Sequence, residues 1–288
     1  MRTVEWRAAN GDTIIFSRAK PYMLDTFYPS TPAGTAEIVR GIRTDGQTTY
    51  NVVADALTPS LVGSIQAQGK TYELAQKNLD ELRSRLQAAL NPKHFGELIY
   101  TDYAGAHRLI CRPMSGAAIG KRIGNAEKID IEWVSDEPYW TQAQQKSLSI
   151  GVTRKLWRFP WIIAPTVFGS ILSDRVIINP TIIEIMPIII IADTASENIT
   201  IGNKTTGDQT TITQKIVPGQ KLELNMSTPS ATLIDVDGTP TDVTHWITLN
   251  SAFPWGLAPG LNEIFTAVDT PDISPVITIM WHQPEEGL

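Results

Sequence analysis

Cysteine is almost absent. Cys111 is the only one in 288 residues. A single thiol excludes a disulfide framework within the chain and any zinc site built from cysteine alone. Long apolar runs are missing as well. The most apolar stretch, 182–192, is broken by Glu184 and Pro187 and falls short of the ~20 residues that a membrane helix needs. No membrane insertion is expected, and the stretch reads as a pair of buried strands. The opening Met1-Arg2-Thr3-Val4-Glu5-Trp6 has no apolar segment of the signal-peptide kind, so folding in a reducing cytoplasm is expected.

Basic blocks are also lacking. The net charge is −6, with no Lys/Arg run and no Arg/aromatic stripe, which argues against a sequence-specific nucleic-acid reader. The common marks of catalysis are absent too. His94, His107, His245 and His282 fall in no HxH or HExxH pattern, and no G-x-S-x-G occurs. No catalytic residue, no cofactor-binding residue and no metal ligand is therefore expected, and no cofactor.

What is present is ordinary globular composition. Hydrophobic residues make up 42% and charged residues 19%, which excludes collagen-like, coiled-coil and disordered classes. Charge is uneven along the chain. Residues 1–134 hold 16 Lys/Arg and 14 Asp/Glu, whereas residues 135–288 hold 8 and 16. That shift, with a change of element type, places a domain break within 134–146.

The first half reads as short strands and turns around one helix. Asn10-Gly11-Asp12 sits between Val4–Ala8 and Thr13–Phe16 as a hairpin signal. Asp45-Gly46 does the same between Glu37–Arg43 and Thr48–Ala54. Leu74, Leu79, Leu82, Leu86 and Leu90 recur at helical spacing, with Thr71 as cap, Glu73 in the first turn and Asn91-Pro92 as stop. Residues 97–111 read as two strands around Ala104-Gly105, and Ile129–Val134 as a further strand.

The second half offers no amphipathic helix. Strand candidates recur at Lys146–Val152, Arg175–Asn179, Ile182–Met186, Ile188–Ala192, Asn198–Gly202, Thr210–Ile216, Lys221–Asn225, Ala231–Asp235, Asp242–Leu249, Glu263–Val268 and Pro275–Trp281. Pro218-Gly219, Asp237-Gly238 and Pro259-Gly260 punctuate them. Many short strands with regular turns predict a β-sandwich or barrel.

Two motif-like stretches fail on chemistry. Asp235-Val236-Asp237-Gly238 lacks the third acidic position and the terminal glutamate of a calcium loop, and an Asp-Gly turn accounts for it. Gly116 to Arg122 is one residue short of a phosphate loop and has Arg where Ser or Thr must hold magnesium. Trp157, Arg158 and Trp161 form an aromatic and basic run that suits a contact surface, since Trp and Arg favour interfaces. A loop packed on its own sandwich is the equal alternative.

The ordered set of features resembles the distal tail protein family of long-tailed bacteriophages, the siphovirus tail component family. Asp136-Glu137-Pro138-Tyr139-Trp140 after a strand is similar to that family's acidic-Pro-Tyr-Trp signature. The helix followed by Gly96-Glu97-Leu98-Ile99-Tyr100 fits the same pattern, as do Pro187 to Ile191, Asn198 to Ile201, Pro218 to Leu224 and Leu257 to Ile264.

The resemblance implies a mainly β protein. Residues 1–134 would be a ring-forming, tail-tube-like β-sandwich or split barrel with one flanking helix. Residues 135–288 would be a peripheral galectin-like β-sandwich. Six copies would form a hub ring joining the tail tube protein to tip, tail-associated lysin or receptor-binding proteins, with DNA passing non-specifically through the lumen. The protein would be assembled in the host cytoplasm and reside in the virion. Pro138, Tyr139 and Trp140 would be a structural junction: Pro138 fixes the chain's exit and Trp140 buries its ring. The galectin likeness concerns fold, because His245 to Asn250 has no Arg nearby. The alternatives are a carbohydrate-binding host-adhesion module and a glycan-degrading enzyme using a carboxylate pair.

Overall fold

The computed structural model describes residues 2–39, 48–151, 175–192, 198–268 and 275–285. The chain forms two compact units, one of Met1–Gln144 with Pro284–Leu288 and one of Gln145–Gln283. The fold is mainly β.

In the first unit, alternation of apolar and polar residues builds strands with one buried face. They are β1 (Thr3–Arg7), β2 (Thr13–Phe16), β3 (Tyr22–Tyr28), β4 (Gly34–Val39), β5 (Thr48–Ala54) and β6 (Ser60–Gln66). Helix α1 (Tyr72–Ala89) follows, then β7 (Gly96–Thr101), β8 (Ala106–Pro113), β9 (Ala118–Ile123), β10 (Ala126–Val134) and the start of β11 (Trp140–Gly151). One antiparallel run is β2-β1-β7-β8 with β11 at Thr141 and Gln142. The other is β9-β10-β6-β3. The two meet where Trp133 and Val134 pair with Pro113 and Arg112. Their inner faces share a core of Val4, Trp6, Phe16, Leu61, Ile65, Leu98, Leu109, Ile131 and Trp133.

The helix closes that core. Thr71 accepts the Leu74 backbone N–H on its hydroxyl at 3.3 Å, which satisfies one of the free N–H groups of the first turn. Leu79, Leu86, Leu90 and Ala75 are buried, whereas Leu74 is 43% exposed. The reason is angular: five residues turn a helix about 500°, so Leu74 lies some 140° from Leu79, while Ala75 lies one turn below it. Trp6 donates its indole N–H to the Ala89 carbonyl at 2.9 Å, and Tyr22 donates its hydroxyl to the Leu82 carbonyl at 3.0 Å. Gly96 is required beside this contact. A Cβ there would stand 2.6 Å from the Trp6 ring and 2.5 Å from the Arg7 carbonyl. Arg122, at the end of β9, binds Glu127 at 2.7 Å, Gln76 at 2.7 Å and Asp80, tying the β9–β10 hairpin to the helix.

The second unit contains the remainder of β11 and β12 (Arg175–Asn179), β13 (Ile188–Ala192), β14 (Ile199–Asn203), β15 (Asp208–Ile212), β16 (Lys221–Asn225), β17 (Ser230–Ile234), β18 (Pro240–Asp242), β19 (Gly260–Val268) and most of β20 (Val276–Glu285). One sheet runs β18-β17-β16-β13-β20 and the other β12-β19-β14-β15. Register aligns the apolar rows. Ile189 pairs with Leu224 and Ile279, and Ile191 with Leu222 and Ile277. Ile199, Ile201, Ile212 and Ile264 come from the other sheet into the same core.

Two expected strands are not formed. Residues 182–186 are not a strand: Ile182 is 81% exposed and only Ile185 bridges, to Leu257. The Asn179 side chain captures this backbone instead. It accepts the Thr181 N–H at 3.1 Å and donates to the Ile183 carbonyl at 2.8 Å, a local bond that competes with a ladder. Residues 242–249 hold a short 3₁₀ turn, Thr244–Trp246. Asp242 accepts both the Thr244 N–H and hydroxyl, at 2.9 and 2.7 Å. Strands β3, β6 and β9 had no sequence signal of their own, and β9 covers the stretch weighed as a phosphate loop.

Replacing Thr71 with Ala removes the cap while leaving the core intact. A loss of about 1 kcal/mol is expected, read as a lower urea midpoint with unchanged slope, and recovered by Thr71→Ser.

Candidate functional site

The motif at 135–140 is positioned by Ser135. This residue is fully buried. Its N–H donates to the Leu57 carbonyl at 2.9 Å and its hydroxyl to the Ile110 carbonyl at 2.8 Å, while the same oxygen accepts the Glu137 N–H at 3.1 Å. The chain therefore turns sharply after β10, with Asp136 and Glu137 exposed and Pro138 and Tyr139 half-buried. Arg112 stands 3.9 Å from Asp136 across this turn.

Trp140 then enters the core of the first unit, 3% exposed. Its indole N–H donates to the Pro29 carbonyl at 3.0 Å. Its ring meets Phe27 edge-on at 6.2 Å, and Phe27 contacts Tyr100 at 4.9 Å. Tyr100 stacks on His107 at 6.0 Å. The aromatic chain thus ends on a buried histidine that sequence reading had left as one of four scattered residues.

His107 lies between two carboxylates. Nδ1 is 2.5 Å from Glu285 and Nε2 is 3.3 Å from Asp102. Asp102 also accepts the N–H groups of Ala104 and Gly105 at 2.7 and 3.1 Å. Burial raises the Asp102 carboxyl, but these hydrogen bonds, with His107, outweigh it and hold the group below the usual carboxylate range. Nothing in the sequence marked this set, because Glu285 lies 178 residues from His107.

Cys111 is buried, and desolvation pushes its thiol far up, which keeps it inert. An open depression of about 450 Å³ beside α1 is lined by Lys20, Gln66, Asn78, Glu81 and Arg85, and it pairs no acid with a reactive group. Among the described residues no group of three or more His, Cys, Asp or Glu is placed to hold a metal. Asp235 to Gly238 is a turn between β17 and β18, closed by the Gly238 N–H on the Asp235 carbonyl at 2.9 Å. Trp157, Arg158 and Trp161 lie outside the described residues.

Comparison with solved structures gives matches along the full chain. The Dit hub protein of phage SPP1, described as a paradigm of the hub adsorption apparatus in phages infecting Gram-positive hosts, aligns with a TM-score of 0.64 at 10% identity, covering 99% of each chain. A chain of the phage p2 baseplate in its activated conformation aligns at 0.58 with strontium and 0.59 with calcium, at 10% identity and 100% of each chain. The chain has the fold of a phage distal tail hub protein. No family model matches, and no curated protein matches by sequence.

Two outcomes follow from the packing of Trp140 and the hydrogen bonds of Asp102. Trp140→Ala is expected to cost about 3–5 kcal/mol, read by chemical denaturation; an unchanged melting temperature with lost partner binding would reverse the structural assignment. Asp102→Asn keeps the turn but removes the charge facing His107. Because folding depresses the Asp102 pKa, its stabilisation is present above the unfolded value of about 4 and fades as pH falls through the folded one. The variant should be less stable than the parent at pH 6–7, and the difference should shrink as pH falls below about 4.

Proposed function

We propose that the protein is a structural hub of a phage tail tip or baseplate. Six copies close a ring that joins the tail tube to tip, lysin or receptor-binding proteins and surrounds the DNA channel. The observation that carries this reading is the full-length match to the SPP1 hub, with 99% of both chains aligned. The resemblance of the 136–140 motif supports it independently.

A physical feature of the first unit agrees. Strands β4 and β5 pair with each other as a separate two-stranded sheet. A two-stranded hairpin is marginal in water by itself, so a neighbouring copy that extends or covers it would stabilise both. A ring needs such a heterologous contact, closing on itself after a fixed rotation. We assign the ring contacts to residues 1–134 and a peripheral position to the acidic residues 135–288. Pro138, Tyr139 and Trp140 are the junction, and Trp157, Arg158 and Trp161 a contact surface. The function is assembly without catalysis, and the place of the protein is the virion.

Negative-stain microscopy with light scattering on the full chain tests the hub. Rings of six-fold symmetry, with six times the 31.7 kDa of one chain, are expected. Monomer alone at high micromolar concentration, with and without tube protein, would overturn it and favour the adhesion-module reading.

A further inference from the structure

Among the described residues β12 is an edge strand, paired with β19 on one side and with no strand on the other. Its outer-face side chains, Val176 and Ile178, are apolar and open, and Arg175 at its start is exposed as well. Val176 is 51% and Ile178 66% exposed, and Leu261, the register partner of Ile178, is 51% exposed. Natural sheets blunt free edges with charged side chains, proline, bulges or a covering segment. Here Val176 and Ile178 stand on the outer face with no charge between them, and Pro180 comes after the strand has ended.

We propose that the edge of β12 that no described strand covers docks a second copy of this chain, β12 against β12, antiparallel about a two-fold axis. Residues directly opposite in an antiparallel ladder point to the same face. A register centred on Ile177 obeys that rule and keeps all five residues of the strand, Arg175–Asn179, in the pair. Val176 then faces Ile178 of the second copy, and Ile178 faces its Val176. Leu261 of each copy extends the row, giving a closed apolar patch of six side chains.

Charge favours a copy over a charged partner strand. The acidic group nearest the seam on the outer face is Glu263, opposite Val176 on β19. In the two-fold pair the two Glu263 residues fall at opposite corners, three strand spacings or about 14 Å apart across the sheet, beyond the screening length of about 8 Å. The edge therefore meets itself without like-charge repulsion, whereas a strand bearing carboxylates or ammonium groups would press them onto Val176 and Ile178. A five-residue seam is smaller than the roughly 1,200 Å² that stable free complexes bury, so the contact is reversible. It is a two-fold operation between copies, separate from ring closure, and stands whether or not the ring forms.

The test uses two full-length variants, Val176→Cys and Ile178→Cys, both at exposed positions away from buried Cys111. In the proposed register, 176 and 178 of different copies are close enough for a disulfide, while like positions are two rows apart and too distant. An equimolar mixture under mild oxidation should give several-fold more cross-linked dimer than either variant alone, mapped by mass spectrometry to 176–178. Sedimentation equilibrium of the otherwise unmodified chain should show a weak, concentration-dependent association beyond that of the ring, or beyond the monomer if no ring forms, which Ile178→Lys removes with ring formation and melting temperature unchanged. Equal cross-linking by each variant alone, or none with both variants folded, overturns the proposal and leaves the edge to another partner. Ring formation is read separately by microscopy, so failure of the seam and failure of the hub are distinguishable.

Discussion

Each core-forming strand of this protein has one apolar face, and covering that face is the constraint from which the rest follows. A buried Ile, Leu or Val contributes about 1.5–3 kcal/mol relative to an exposed one. In the second unit the two sheets cover each other, so rows such as Leu224–Ile189–Ile279 meet Ile201 and Ile264 and no helix is needed. In the first unit the two runs leave the Trp6 side open. Helix α1 and its cap fill it with Leu79, Leu86 and Leu90, and the Trp6 indole N–H is satisfied by the carbonyl of Ala89, the helix's last residue.

Polar side chains inside these cores set the loops. Asn203 donates to Asn262 at 2.8 Å, and Asn262 to the Ala258 carbonyl at 2.8 Å. Asn179 holds Ile183 and Leu257, and Thr210 accepts the Trp255 indole N–H at 3.0 Å. Buried amides without partners would each cost several kcal/mol, so each of these bonds fixes one loop path. The same economy operates at Ser135, where one hydroxyl anchors the turn that delivers Trp140.

The likeness to the SPP1 hub at 10% identity and a TM-score of 0.64 fits the same physics. A sandwich core asks for apolar residues of suitable volume at alternate positions, and many sequences satisfy it. Pattern persists where residues do not. What distinguishes one such protein from another then lies on edges and loops, which the core leaves free to vary.

Much of this was legible beforehand. The helix, its Thr71 cap, the 97–111 hairpin and most strands of the second half follow from spacing and turn residues, because periodicity is a local property. Leu74 was misplaced by a five-residue gap that only angular accounting corrects. The 182–186 and 242–249 segments were misread because Asn179 and Asp242 hydrogen-bond their own neighbours, and composition cannot show which polar groups win that competition. Strands β3, β6 and β9 had no signal of their own; β6 and β9 pair on the two sides of β10, and β3 pairs with β6. Trp140 was visible as a junction residue, yet its partner Pro29 and the aromatic path to His107, Asp102 and Glu285 join residues distant in the chain. The sequence by itself determined which faces must be buried; the tertiary structure alone decided which faces meet and which strands pair, because those depend on contacts between strands that no local pattern records.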